Sequence, residues 1–326
     1  MSARRTCARL LAGLAVCAIA VTALAQQDFP NRPIRYITPF APGGSQTVLA
    51  RLIGQRLTEA WGQQVVVDNR PGANTIIGTQ LAVKSRPDGY TLVSLGNALA
   101  GNHTLFKTPY DALKDIAPIA TVLSYENVLV VGPALSVGSV GELIALAKAK
   151  PGHITYGTSS AGGATHLLAE LFNNVAGINT RHIPYKGGGP AVTDLMGGHI
   201  HMFFSTPINV VAQVKSGRLK ALAVTGKSRI PAFPDAPTFI EEGFPAMTLT
   251  NWQGVGGPAG IPKPIIDKIS AEIAKLVAMP DTREKFAQQG FEPYYNGPEQ
   301  TAALIKSDIA KYARIIKDAN IKVELN

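Results

Sequence analysis

The chain has 326 residues and a formal net charge of +9, with 46% hydrophobic and 16% charged residues, 32 glycines and 23 prolines. That balance excludes a disordered or low-complexity chain, and at roughly 100–200 residues per domain the length predicts two domains. The positive excess favours anions, but it is spread without a long basic run or a basic helix interleaved with aromatics, which excludes nucleic acid as the expected partner.

Residues 1–25 read as a secretory leader. Arg4, Arg5 and Arg9 precede an apolar run from Leu10 to Leu24, and Ala23-Leu24-Ala25 supplies a small-x-small cleavage site. The run is shorter than the ~20 residues needed to span a bilayer, which favours cleavage over a membrane anchor. Cleavage after Ala25 predicts a soluble periplasmic protein. It removes three arginines, leaving a net charge of +6, and both cysteines, Cys7 and Cys17. A cysteine-free mature chain has no disulfide, no thiolate nucleophile and no cysteine metal site.

Strands and helices then alternate. Ile34–Thr38, Val65–Asp68 and Thr91–Leu95 read as strands, with helices over Gln46–Trp61 and Ile76–Lys84. Further on, Asn127–Val131, Ile154–Gly157, Arg181–Pro184, Ile200–Phe204 and Leu219–Thr225 read as strands. Val140–Ala149, Ala164–Ala176, Pro190–Met196 and Ile208–Ser216 read as helices. This rhythm predicts an α/β fold with parallel sheets. Residues 230–264 hold seven prolines and one strand candidate, Leu249–Val255; helical patterns follow over Pro264–Ala278, Asp281–Gln289 and Pro298–Ala319. A helical tail after two α/β units implies a chain that crosses between lobes twice.

Two glycine-rich loops each open a predicted helix. One is Pro39-Phe40-Ala41-Pro42-Gly43-Gly44-Ser45-Gln46-Thr47; the other is Gly157-Thr158-Ser159-Ser160-Ala161-Gly162-Gly163-Ala164-Thr165-His166. The first turn of a helix leaves backbone N–H groups unpaired and partly positive. Glycine lets an anion approach them, and serine or threonine adds hydroxyl donors. The pair could hold a carboxylate without arginine, or be ordinary capped turns. Lys186-Gly187-Gly188-Gly189-Pro190 could likewise cradle an anion or merely join a strand to a helix.

Enzyme motifs fail on inspection. Gly226-Lys227-Ser228 lacks the glycine five positions earlier that a phosphate-binding loop requires. Gly157 and Ser159 begin a nucleophile elbow, but Ala161 stands where its second glycine belongs. His199 and His201 have no cysteine or carboxylate at ligand spacing, so no metal and no cofactor is expected.

At these loops the chain resembles the periplasmic receptors of tripartite tricarboxylate transporters, the Bug or TctC-like family. The resemblance covers nearly all of the mature chain. It rests on Phe29-Pro30-Asn31-Arg32-Pro33-Ile34-Arg35, Pro39-Phe40-Ala41-Pro42-Gly43-Gly44, Val65-Val66-Val67-Asp68-Asn69-Arg70-Pro71-Gly72-Ala73 and Arg86-Pro87-Asp88-Gly89-Tyr90-Thr91-Leu92. Ile183-Pro184-Tyr185-Lys186-Gly187, Pro234-Asp235-Ala236-Pro237-Thr238 and Pro258-Ala259-Gly260-Ile261-Pro262 follow in order. It implies a two-lobed periplasmic-binding-protein type II (Venus-flytrap) fold with C-terminal helices. Lobe 1 would comprise residues 26–126 plus 249–326, and lobe 2 residues 127–248, with hinges near Asn127–Val131 and Pro245–Thr250. It implies a monomer that captures a small organic carboxylate and delivers it to a membrane permease, with no bond made or broken.

By the same resemblance Phe40, Pro42, Gly43, Gly44, Ser45 and Gln46 face Thr158, Ser159, Ser160, Ala161 and Gly162 across the cleft. Asn97, Gly101, Asn102, Ser205 and Thr206 match segments that line it. Two departures stand out: many relatives have aspartate where Thr47 and Ser205 stand here. A cleft lacking those charges is expected to disfavour amino acids and suit a plain mono- or dicarboxylate. Two other readings remain at this stage. One is a ligand-sensing module for a two-component system, the other a hydrolase using Ser160 with His166.

Overall fold

The computed structural model describes residues 29–318 and 321. The expected leader, residues 1–25, lies outside the described residues, as does Ala319, the expected end of the last helix.

Two sheets organise the chain. The first contains β1 (Ile34–Thr38), β2 (Val65–Asn69), β3 (Thr91–Gly96), β4 (Ile116–Glu126), β10 (Thr250–Pro258) and β11 (Glu292–Asn296), in the order β11-β4-β10-β3-β1-β2. The second contains β5 (Val128–Val131), β6 (Thr155–Thr158), β7 (Arg181–Pro184), β8 (Met202–Ser205) and β9 (Lys220–Val224), in the order β7-β6-β8-β5-β9. The α/β class holds, but the sheets are mixed rather than parallel. β1 runs parallel to β2 and β3, and β6 parallel to β7 and β8. β10 is antiparallel to β3 and β4, and β5 to β8 and β9. β5 and β10 are the strands at which the chain enters one sheet directly from the other, with no crossover helix to restore their direction; the edge strand β11 is also antiparallel to β4.

The helices are α1 (Ser45–Trp61), α2 (Ile76–Val83), α3 (Ala98–Leu105), α4 (Val140–Ala149), α5 (Ala164–Ala176) and α6 (Gly188–Met196). They continue with α7 (Val211–Lys215), α8 (Lys263–Ala278), α9 (Pro280–Gln288) and α10 (Pro298–Asp318). Most expected helices keep their limits to within two residues. The helix expected over Ile208–Ser216 instead divides into a 3₁₀ turn at Pro207–Asn209 and the short α7.

Packing follows the sequence periodicity. α1 buries Leu49, Ile53 and Leu57, spaced four apart, against Ile34 and Tyr36 of β1 and Ile269 and Ile273 of α8. Each such side chain contributes about 1.5–3 kcal/mol on leaving water. Gly62 ends α1 in the left-handed conformation (φ 68°), its N–H bonded to Thr58 O. In the second sheet's core, Phe172 of α5 meets Phe204 of β8 edge-on at 5.8 Å. No helix among the described residues is long and apolar enough to cross a membrane.

The chain passes between the sheets at Asn127, between β4 and β5, and returns between β9 and β10. The two passages are tied together. Asn251 Nδ2 donates to Asn127 Oδ1 (2.5 Å), Asn127 N–H donates to Thr225 Oγ1 (2.9 Å), and Thr225 donates to Leu249 O (2.9 Å). Helix α10 also touches both halves: Ile305 packs with the first sheet's residues, while Tyr312 and Ile316 enter the core built on the second.

Candidate functional site

The carboxyl ends of the parallel strands in both sheets meet at one cleft, the place where α/β sheets leave a crevice for ligands. From β1 the chain turns through Pro42 and Gly43 (φ 90°) into α1. Asn69 Nδ2 fixes this turn by bonding Thr38 Oγ1 (2.6 Å), Phe40 O (2.9 Å) and Thr47 Oγ1 (2.8 Å). From β6 the chain turns through Ser159–Gly163 into α5. Thr165 Oγ1 accepts the Ser159 N–H (3.0 Å), and His166 Nδ1 accepts the Gly162 N–H (2.9 Å).

Both helices begin on glycine, Gly44 and Gly163, with no side-chain cap. At the start of α4, by contrast, Ser139 Oγ accepts the Glu142 N–H (3.2 Å). The open first turns of α1 and α5 therefore keep N–H groups free for an external acceptor. α6 also starts on an uncapped glycine, Gly187 (φ 139°), whose neighbour Gly188 lines the same cavity. α2 is preceded by three consecutive left-handed residues, Ala73, Asn74 and Thr75 (φ 43°, 47° and 75°). Asn102 holds that turn through Nδ2 to Asn74 O (2.7 Å) and Thr75 Oγ1 (3.2 Å).

Between these elements lie two adjoining cavities of about 80 and 280 Å³, which share Pro39, Phe40, Thr75, Ser159 and Ser160. Residues of both sheets contribute to each. The halves touch on two sides: Gly101 abuts Gly162 O, and Ala41 abuts Gly187. The smaller cavity has no charged side chain among its described lining residues, and the larger has only Lys186. An anion in the smaller cavity would be held by backbone dipoles and neutral donors.

Of the residues singled out from the sequence, Phe40, Gly44, Ser45, Gln46, Asn97, Ser159, Ser160 and Thr206 line the smaller cavity, and Ala161 the larger. Pro42, Gly43, Thr47, Gly101, Asn102, Thr158, Gly162 and Ser205 line neither. Pro42 and Gly43 form the exposed tip of the turn. Thr47 accepts from Asn69, Ser205 donates to the Thr206 carbonyl, and Thr158 Oγ1 bonds His182 Nε2 (2.7 Å). These are supports, so the neutrality of Thr47 and Ser205 does not set the charge of the cavity wall.

Sequence reasoning passed over Ser94, Tyr125, Asn209 and Gln253, which line the smaller cavity, and Thr75 and Thr79 of the α2 region. Gln253 Nε2 donates to Ser45 Oγ (2.7 Å). Burial pushes the Tyr125 hydroxyl above its ordinary range, against the opposing influence of Thr206 and Gln253. That phenol stays protonated and able to donate.

Asn97 lines the cavity with its amide already engaged. Its Nδ2 donates to Asp308 Oδ2 (3.0 Å) and its Oδ1 accepts the Trp252 N–H (3.0 Å); Trp252 Nε1 donates to the same Asp308 oxygen (2.7 Å). Burial raises the Asp308 carboxyl above the usual carboxylate range, against the Trp252 bond. Asp308→Leu should therefore lower stability by roughly 3 kcal/mol, since two buried donors lose their acceptor, whereas Asp308→Asn keeps an acceptor and should cost little. Urea denaturation of both variants measures the difference.

The hydrolase reading has no geometry behind it. His166 Nδ1 is occupied by the Gly162 N–H, and Ser160 makes no hydrogen bond to that ring. His166 instead stacks on His182 with ring centroids 4.0 Å apart.

Known proteins resemble the chain over most of its length. The family model described as "Tripartite tricarboxylate transporter family receptor" matches residues 49–321. Protein BugT of Bordetella pertussis is 37% identical over 322 residues, covering 97% of this chain and 99% of that protein. Among solved structures, an R. palustris protein with adipate superimposes with a TM-score of 0.88 at 32% identity, over 90% of this chain and 99% of its own. MatC from Rhodopseudomonas palustris with bound malate gives 0.83 at 25% identity, over 88% of this chain and all of its own.

Proposed function

The chain belongs to the tripartite tricarboxylate transporter receptor family, and from that premise we propose that it is a periplasmic receptor that closes on a small organic carboxylate and delivers it to a membrane permease of that transporter type. The observation behind the reading is a single cavity faced by uncapped helix starts from both sheets, α1 from one and α5 and α6 from the other. A carboxylate bridging them gains charge-assisted hydrogen bonds from both halves at once. Bonds to a charged group contribute roughly 1.5–3 kcal/mol each. In the separated arrangement each half offers only its own donors, so the ligand's differential affinity drives closure.

The lobes of this reading are residues 26–126 with 249–326, and residues 127–248. The tied passages at Asn127 and Leu249–Asn251 are the pivot. The adipate and malate held by two relatives fit the same class of ligand. An ammonium group finds no carboxylate on the wall of either cavity, and burying it unpaired is costly.

A thermal-shift screen of the purified protein against organic acids tests the reading. A ligand at a hundred times its dissociation constant should add about 2.7 kcal/mol of stability. The same ligand should reduce the radius of gyration in small-angle scattering. A panel of mono-, di- and tricarboxylates that moves neither quantity overturns the proposal.

A further inference from the structure

We infer that Asn74 is a latch across the cleft: as the halves close on an anion, its side-chain oxygen caps the start of α5. This positioning role rests on the receptor reading and says what, besides the ligand, holds the closed form.

Asn74 precedes α2 in the first-sheet half, and α5 belongs to the second. Asn74 is 7% exposed, and its Oδ1 is buried without a hydrogen bond. Chemistry fixes the direction of the amide. Asn102 Nδ2 donates to Asn74 O, a backbone carbonyl that only accepts, so Asn102 Oδ1 is the free acceptor of that side chain. Asn74 must present Nδ2 to it (2.6 Å), which turns Asn74 Oδ1 the other way. There it meets the start of α5: a Cβ at Gly163 would lie 3.3 Å from Asn74 Oδ1.

Gly163 is the N-cap residue of α5 and has no side chain to cap it. An N-cap side chain gives its oxygen to an N–H of the first turn, and asparagine is among the best residues for the purpose. The acceptor that Gly163 lacks therefore stands beside it, on the opposite half of the molecule. The helix lacks a cap and the amide oxygen lacks a donor; a small further approach of the halves satisfies both. A helix start carries several unpaired N–H groups, so the amide oxygen and the anion take different ones.

The backbone is shaped for this. Three consecutive left-handed residues without a glycine, Ala73 to Thr75, persist only where their surroundings over-determine them. Asn102 of α3 does so, bonding Asn74 twice and Thr75 Oγ1 once. The end of α3 also holds the adjoining glycine of the α5 loop, for a Cβ at Gly162 would lie 2.9 Å from the Phe106 ring and 3.0 Å from Leu105. The asparagine pair thus joins two grips on Gly162-Gly163.

Calorimetry and stopped-flow kinetics on the purified chain, with succinate, glutarate and adipate as probes, test the latch. Asn74→Gly removes the amide and leaves a residue suited to the left-handed backbone. Each acid that binds the unaltered chain is expected to bind the variant about fivefold more weakly, the usual effect of losing one helix cap. The whole loss should appear as faster dissociation, because the latch forms after the encounter. Were Asn74 only a support for its own turn, fewer molecules would be competent to bind and association would slow instead. Asn102→Ala unfastens the same amide from its other end and carries the same expectation, so the test does not depend on one variant folding. A loss confined to one acid, a loss in the association rate, tighter binding, or a change below about twofold overturns the inference and leaves the receptor reading intact. If none of the acids binds the unaltered chain there is no closure to latch: the inference falls, and the receptor reading is weakened with it.

Discussion

Gly163→Ala is expected to weaken carboxylate binding by about a hundredfold while the chain remains folded. Gly163 has an ordinary extended backbone (φ −78°, ψ 175°), so alanine meets no conformational strain. The added methyl would overlap Ser160 Oγ and lie 3.3 Å from Asn74 Oδ1. Ser160 lines both cavities, so relieving the overlap displaces a cavity wall at the mouth of α5. The helix start would then be screened from the anion whose approach it serves. The stability cost should stay near 1–3 kcal/mol, the usual range for overpacking. Gly189→Ala is the matched control, because an added Cβ there has nothing within 4 Å and the residue lines neither cavity. It should leave affinity unchanged. Calorimetry with a carboxylate that binds the unaltered chain, together with circular dichroism, separates the outcomes. Full affinity in Gly163→Ala would show that the anion does not sit over α5.

The two loops were legible because their physics is local. A strand, a glycine-rich turn and an amphipathic helix can be read from consecutive residues, and α1 and α5 begin within one residue of the positions expected. What the sequence hid depends on partners distant along the chain. β4 contains Pro118 and β11 contains Pro293, which weaken a strand reading, yet both strands sit in the first sheet. α3 is short, uncapped by a side chain and interrupted by Gly101, so its own residues give no clear helical signal. Gln253 sits in a strand expected from its hydrophobic neighbours. Its importance comes from Ser45, which lies 208 positions away in the chain and 2.7 Å away in space. Asn97 was recognised as a cleft residue, but its use as a bracket between Asp308 and Trp252 depends on α10 folding back to that place. Thr47 and Asn102 were singled out by position in a motif. Only the folded chain shows that they hold loops for others to use.

Acidification should lower the stability of the folded chain through two buried imidazoles beneath the second half of the cleft. Burial, reinforced by His182, holds His166 down to about 3, and burial holds His182 down to about 4. Both rings are therefore neutral in the folded chain at neutral pH. In the unfolded chain they take up protons near 6.5. Between that value and their folded values the unfolded state binds more protons, so stability falls as pH falls through this window. For His166 alone the loss at pH 4 is roughly 3 kcal/mol. The geometry adds a local consequence. His166 Nδ1 is the acceptor for the Gly162 N–H, so a proton on that nitrogen sets two donors against each other beneath the Ser159–Gly163 loop. Thr158, at the other end of the loop, is bonded to His182. Around the pair, Tyr156 stacks on His182 at 5.1 Å and bonds Glu170, whose carboxylate lies 3.9 Å from His166 Nε2. That carboxylate is too far from Nε2 for a hydrogen bond that would offset burial of the charged ring. His166→Asn places a non-titrating amide where Nδ1 stood, so its acid midpoint should fall below that of the unaltered chain while neutral-pH binding is retained. Urea denaturation and calorimetry between pH 7 and pH 4, stepped in about half-unit intervals, follow both properties together. An unaltered chain whose stability is flat across that range would show that the stacked rings are not what acid acts on.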